Sequence, residues 1–231
     1  MIQLPERINV DQLKSYMLQR RTTKDRFRLP MTANQAYDCL LAATMAEVEF
    51  RHRHFYGNEE LKSQLRQMAN WLTSNDSKFG ILLCGGCGNG KSTLLKAFQQ
   101  LLNTLSIAKP YGQGCYGIQI TDAKYITHLG RTDYSAFLKL AQKGMLGIDD
   151  LGTEPLEVMD YGNVVTPVID LLTKRYEEQS FTIITTNLTP KQIREHYGDQ
   201  IADRLNEMFA KITFKNDSYR TITEPNVGTF V

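Results

Sequence analysis

No apolar run in this 231-residue chain approaches the roughly 18 residues that a bilayer-crossing helix needs. Nor does a charged opening lead into an apolar stretch and a small-residue cleavage site, so neither a membrane span nor a secretory signal is expected, and the cytoplasm is the default location. Cysteine is sparse. The four residues at 39, 84, 87 and 115 make no disulfide framework, and the Cys84-x-x-Cys87 spacing, which crosses a glycine-rich loop, reads as coincidence rather than as a metal or redox pair. His128 and His196 have no neighbours in a pattern that suits a metal site or a catalytic triad. Charge of one sign is lacking too: a net +2 argues against tight sequence-independent nucleic-acid binding by a single copy, although an oligomer multiplies each weak basic contact.

What charge there is lies unevenly. Residues 1 to 30 hold seven Lys/Arg (7, 14, 20, 21, 24, 26 and 28) against three acids (6, 11 and 25), so this segment carries +4 and the rest −2. Such an arm suits phosphates, an acidic partner surface, or merely a solvated helix and linker. The 42% apolar content marks a globular chain, long enough for one α/β domain of about 150 to 170 residues plus a smaller appendage.

The most informative stretch is 85 to 92, Gly-Gly-Cys-Gly-Asn-Gly-Lys-Ser, which fits G-x-x-x-x-G-K-[ST] at every fixed position. Phe79 to Cys84 before it reads as a buried parallel strand, and the run from Ser92 carries Leu94, Leu95, Phe98 and Leu102 at helical spacing. Each residue type has a reason. Glycines let backbone wrap a phosphate, successive N–H groups form an anion nest at a helix N-terminus, Lys91 reaches β/γ oxygens, and Ser92 offers a magnesium ligand.

Around this loop the periodicity predicts a short helix over 8–20, a polar basic linker over 22–30 and a longer helix over 32–55, together a helical appendage of residues 1–57. A helix over 58–73 opens the main domain, 58–231. Strands are predicted at 79–84, 117–120, 145–149, 181–186 and 211–214, with helices at 132–143, 163–177, 190–196 and 199–208 between them. This alternation argues a mostly parallel five-stranded sheet with helices on both faces. Gly112 and Gly114, then Pro155 and Gly162, mark surface loops.

Two acids end the apolar run Met145 to Asp150. At a strand tip, Asp149 can assist the metal held by Ser92, and Asp150 can orient or deprotonate an attacking water. Glu154, in the loop beyond, suits either a cap or a reserve acid. The β-rich run 181–186 turns polar at Asn187, which either senses a γ-phosphate or caps the helix beginning near Pro190. Arg204, about 17 residues further on, suits either a surface position or an arginine finger entering a neighbouring subunit's site.

The ordered set Gly85 to Ser92, Gly147-Ile148-Asp149-Asp150-Leu151-Gly152, Lys174-Arg175-Tyr176, Thr185-Thr186-Asn187-Leu188 and Ala202-Asp203-Arg204-Leu205 resembles the DnaC/IstB branch of the AAA+ ATPases over residues of about 70 to 220. Ile212-Thr213-Phe214 with Ser218-Tyr219-Arg220 resembles the end of that family's domain. Members are replicative helicase loaders and transposition helpers that bind DNA and assemble into ATP-dependent rings or spirals. The resemblance implies an α/β AAA+ P-loop NTPase with ATP and Mg²⁺ as cofactors. It implies phosphate binding by Gly85, Gly86, Cys87, Gly88, Asn89, Gly90, Lys91, Ser92 and Thr93, and metal coordination by Ser92 and Asp149. It further implies water activation by Asp150, sensing by Asn187, a trans-acting Arg204 and a second-sensor role for Arg220. The implied partners are DNA, single-stranded and weakly held by the monomer, a replicative helicase or transposase, and further copies of the chain. The implied reaction is a slow ATPase stimulated by assembly or DNA. Gln19-Arg20-Arg21 through Arg26-Phe27-Arg28 is the expected phosphate or partner contact. Asp at 150, where the wider AAA+ class often has Glu, leaves room for a nucleotide-gated adaptor with negligible turnover. A metabolite kinase shares only the phosphate loop.

Overall fold

The computed structural model describes residues 9–20, 26–112, 114–160 and 162–220. In chain order its elements are α1 (Val10–Arg20), α2 (Ala33–Phe50), α3 (Glu59–Thr73), β1 (Gly80–Gly85), α4 (Lys91–Leu105), β2 (Gln119–Asp122), α5 (Ala123–Thr132), α6 (Tyr134–Ala141) and β3 (Met145–Leu151). There follow β4 (Val158–Asp160), β5 (Asn163–Val165), α7 (Pro167–Glu177), β6 (Phe181–Thr186), α8 (Pro190–Tyr197), α9 (Asp199–Met208) and β7 (Phe209–Phe214).

Five strands form one sheet in the order β2-β3-β6-β1-β7, and every pairing in it is parallel. Parallel sheets are covered on both faces, so their strands read as continuous apolar runs whose successive side chains alternate sides. In β1, Ile81 and Leu83 join one core with α3 and α4, whereas Leu82 joins the other with the α5 to α9 side. β6 divides in the same way, Ile183 to the first core and Ile184 to the second. β1 and β6 are adjacent in the middle of this order, so their C-terminal ends, and the loops leaving them, meet at one rim.

Of the expected polar linker over 22–30, residues 22–25 lie outside the described residues, and 26–30 depart from that expectation. Phe27 and Leu29 are buried in the first core with Ala36 and Leu40 of α2, and the Leu29 amide donates to the Leu72 carbonyl at 2.8 Å. Between them Arg28 lies over the Trp71 ring, 4.3 Å from its centroid, and donates to the carbonyls of Phe27, Ser74, Asp76 and Lys78. Arg28 is thus occupied in closing the turn after α3. Gln19 to Arg21, the other part of the expected contact, lie outside the residues whose side chains are described.

Three of the expected helices differ most from their bounds, while the strands shift by at most about two residues. The helix expected over 32–55 begins at a Thr32/Gln35 capping box but stops at Phe50. The helix expected over 132–143 is α6 alone, preceded by α5, because Asp133 closes α5 and its carboxylate caps α6 through the Ala136 amide. The helix expected over 163–177 starts at Pro167, and the residues before it form the antiparallel hairpin β4–β5. Among the described residues no helix is long and apolar enough to cross a membrane.

Candidate nucleotide site

The loop from Gly85 to Gly90 leaves the end of β1 and feeds α4. Gly88 and Gly90 have φ of +76° and +99°, in the left-handed region that costs a side-chain-bearing residue most, so the turn requires glycine there. Asn89, between them, is 1% exposed and bolts the loop to the rim: its Nδ2 donates to the Phe214 carbonyl at 3.1 Å, and its own carbonyl accepts from Asn216 Nδ2 at 3.1 Å. Gln64 of α3 donates in turn to Asn216 Oδ1 at 3.0 Å. The segment after β7 therefore lies across the loop. Tyr219 N–H donates to the Gly88 carbonyl and its hydroxyl to Asn58 Oδ1, the N-cap acceptor of α3.

Lys91 opens α4 with its ammonium turned back over the loop. Nζ donates to the carbonyls of Gly85 (2.9 Å) and Gly86 (2.6 Å), to Asn89 Oδ1 (3.0 Å) and to Asn187 Oδ1 (2.8 Å). All four acceptors are neutral, so a buried cation sits with no carboxylate in contact; burial pulls its pKa down, against the raising fields of Asp150 and Asp149. A buried cation held only by neutral dipoles is a ready partner for an anion. Ser92, next in α4, donates through Oγ to Asp149 Oδ1 at 2.7 Å, and Thr93 follows half-buried. Cys87 is exposed and Cys84 buried with its thiol toward Ile212 and Thr213; among the described residues all four cysteines are free.

Asp149 and Asp150 lie where the β3–β6 register shifts between Ile148 and Leu151. Such irregularities re-aim side chains at a sheet rim. Asp150 takes φ of +54°, an uncommon conformation for a residue with a Cβ, and its amide donates to Thr185 Oγ1 at 2.9 Å. The Thr185 hydroxyl donates to Asp149 Oδ1 at 2.6 Å, so one buried side chain holds the Asp149 carboxylate and the Asp150 backbone. Burial first, then the neighbouring Asp149, lift the Asp150 carboxyl above its ordinary range, opposed by Lys91 and by Arg220, whose charge reaches across the loop. Thr185 stood in the sequence only as part of the Thr185-Thr186-Asn187-Leu188 motif at the tip of β6, with no role of its own.

A family model described as IstB-like ATP binding protein matches residues 8–226. The chain belongs to that family. No curated protein sequence matches it. Among solved structures, the DnaC helicase loader is similar with 22% identity and a TM-score of 0.53, covering 70% of this chain and 94% of that one. DnaI is 18% identical with a TM-score of 0.52, covering 71% and 86%. A putative primosome component from Streptococcus pyogenes serotype M3 is 16% identical with a TM-score of 0.53, covering 78% and 98%. The fold is that of AAA+ P-loop NTPases, and the family is an ATP-binding one.

Within this IstB-like chain, other residues singled out from the sequence fall in several places. Asn187, just past β6, turns its side-chain oxygen to Lys91; the cap of α8 is Thr189, through a capping box with Gln192. Arg204 on α9 donates to Thr173 Oγ1 at 2.8 Å and lies over Tyr176, 5.2 Å from the ring centroid. Both partners are on α7. Arg175 is wholly buried. His128 stacks on Tyr125, and among the described residues no cluster of three or more His, Cys, Asp or Glu is arranged to hold a metal.

Proposed function

We propose that the protein is an ATP-hydrolysing, DNA-associated assembly factor whose nucleotide state switches it between oligomers. One observation carries this reading: Lys91 and Ser92 at the start of α4, Asp149 and Asp150 at the end of β3 and Asn187 just past β6 gather at one rim beside the glycine-rich loop. Ser92 Oγ and Asp149 Oδ1, 2.7 Å apart, are two hard oxygen donors that would hold a Mg²⁺. Bound there, the ion would supply neutralisation of phosphate charge.

The chain's own groups account for the rest. Loop amides and Lys91 hold the phosphates, and Asn187, already facing Lys91, reports on the γ-phosphate. Asp150 orients the water and accepts its proton as that oxygen bonds to the γ-phosphorus and the bond to ADP breaks, giving ADP and phosphate. Arg204, parked on α7 and partly exposed, is suited to entering a neighbour's site, which makes an isolated copy slow. Arg220 offers a second charge at the γ-phosphate from its own chain, supported by its field on Asp150.

The partner reading follows the relatives. DnaC is described as a helicase loader and the streptococcal protein as a primosome component, which favours a replicative helicase on DNA. The family's IstB name keeps a transposase as the alternative. Steady-state ATP hydrolysis against protein concentration, with and without single- and double-stranded DNA, tests this for wild type, Arg204→Ala and Asp150→Ala. Cooperative, DNA-stimulated turnover lost in both variants is expected. Tight ATP binding with negligible turnover at every concentration would replace the switch with a nucleotide-gated adaptor, and function retained in Asp150→Ala would do the same.

A further inference from the structure

Glu154 is an acid that the site does not use. It is 4% exposed, and both of its oxygens are engaged: Oε2 accepts the Gly152 amide at 2.9 Å, and Oε1 accepts the hydroxyl of Tyr197, itself 5% exposed. A carboxylate removed from water is tolerated only when its lone pairs are met, so this contact is a costly one to break. It joins two functional segments. Gly152 lies two residues beyond Asp150, in a bend where the Thr153 hydroxyl also donates to the Asp150 carbonyl at 2.9 Å. Tyr197 is the last residue of α8, and only Gly198 separates it from α9, which carries Arg204. Burial, then the bond to Glu154, push the phenol's pKa up and keep it a protonated donor.

We infer that Glu154 and Tyr197 form a positioning pair that holds the bend carrying Asp150 against the start of the Arg204 helix, so that this contact governs turnover and leaves nucleotide binding alone. Asp150 sits in an unfavourable left-handed conformation, which persists only where surrounding contacts over-determine it. Glu154 offers one such contact from outside the phosphate loop, and Tyr197 passes any movement of it to α9. The catalytic half of this inference rests on the function proposed above.

The test compares wild type with Tyr197→Phe, Glu154→Ala and the double variant, using hydrogen–deuterium exchange and steady-state ATP hydrolysis on the whole chain. Tyr197→Phe should speed exchange about tenfold in peptides covering both 150–154 and 199–208 while the 85–93 loop is unchanged. It should lower kcat about tenfold with KM within twofold. The double variant should be no slower than Glu154→Ala, since both substitutions break one link. Exchange that rises at 199–208 without 150–154, or kcat within twofold of wild type, would overturn the pairing, as would kcat and nucleotide affinity falling together. The parent reading fails separately. If wild type does not turn over, exchange alone decides the pairing; if Arg204→Ala keeps full activity while Tyr197→Phe loses it, the finger falls and the pair stands.

Discussion

Arg175 offers the sharpest physical prediction. It is 0% exposed, yet carries a guanidinium whose pKa burial brings down to about 10, with only the field of Glu178 to offset it. Four contacts hold it: Nε to Thr182 Oγ1 (2.8 Å), Nη1 to the carbonyls of Ala141 (2.9 Å) and Lys143 (2.8 Å), and Nη2 to the Phe181 carbonyl (2.6 Å). One side chain of α7 thus ties the end of α6 to the start of β6. Arg175→Met keeps the length and apolar stem but leaves those acceptors without this donor. At about 1 kcal/mol net per hydrogen bond the loss is about 4 kcal/mol; relief of the guanidinium's desolvation brings the expected destabilisation to about 2–4 kcal/mol. In a chain of this size that corresponds to a fall in Tm of roughly 5–15 °C. Arg175→Lys should fare little better, because a single ammonium cannot span acceptors arrayed around a planar fork. Thermal unfolding by circular dichroism, with ATP-analogue binding measured well below the transition, is the assay. A variant that melts within about 2 °C of wild type, or binding lost while the fold is intact, would refute the reasoning and move Arg175 into the site.

Thr185→Val removes the hydroxyl that holds the Asp149 carboxylate and the Asp150 amide; turnover should fall at least tenfold while ATP-analogue affinity stays within about threefold, since one buried hydrogen-bonding group is worth about 1–3 kcal/mol, and parallel kcat and binding measurements check it. Gly88→Ala should weaken nucleotide binding and raise proteolysis of residues 215–220, because its Cβ would lie 2.2 Å from Ser218 Oγ on a backbone of φ +76°; unchanged protease sensitivity would show that the crossing segment is not held by this contact. Lys91→Ala should abolish ATP-analogue binding in equilibrium titration with Tm within a few degrees of wild type, as its four partners are oxygens of the loop and rim rather than of the core.

Much of the rim was legible because its information is local. A strand, a glycine-rich loop and a helix are contiguous from Phe79 to Leu102, and Asp149 and Asp150 needed only an apolar run that ends in acid. α5 was hidden for a different reason. Ile126, Thr127, Gly130 and Thr132 are indifferent helix formers, so the helix rests on burial of Ile126 and Leu129 in the second core rather than on propensity. The basic segment around Arg28 looked solvated because charge in a sequence does not reveal which carbonyls a turn will present to it.

The sequence by itself determined that a glycine-rich loop of the G-x-x-x-x-G-K-[ST] pattern lies between a strand and a helix, and that parallel strands would carry it, since each of those follows from neighbours along the chain. Only the tertiary structure decided how the loop is held and what faces it. Asp149 meets Thr185 across 36 residues, Glu154 meets Tyr197 across 43, and Asn216 bolts Asn89 across 127. Those distances are closed by the strand order β2-β3-β6-β1-β7, which sets β3 beside β6 and β7 beside β1, and no local pattern of residues encodes that order.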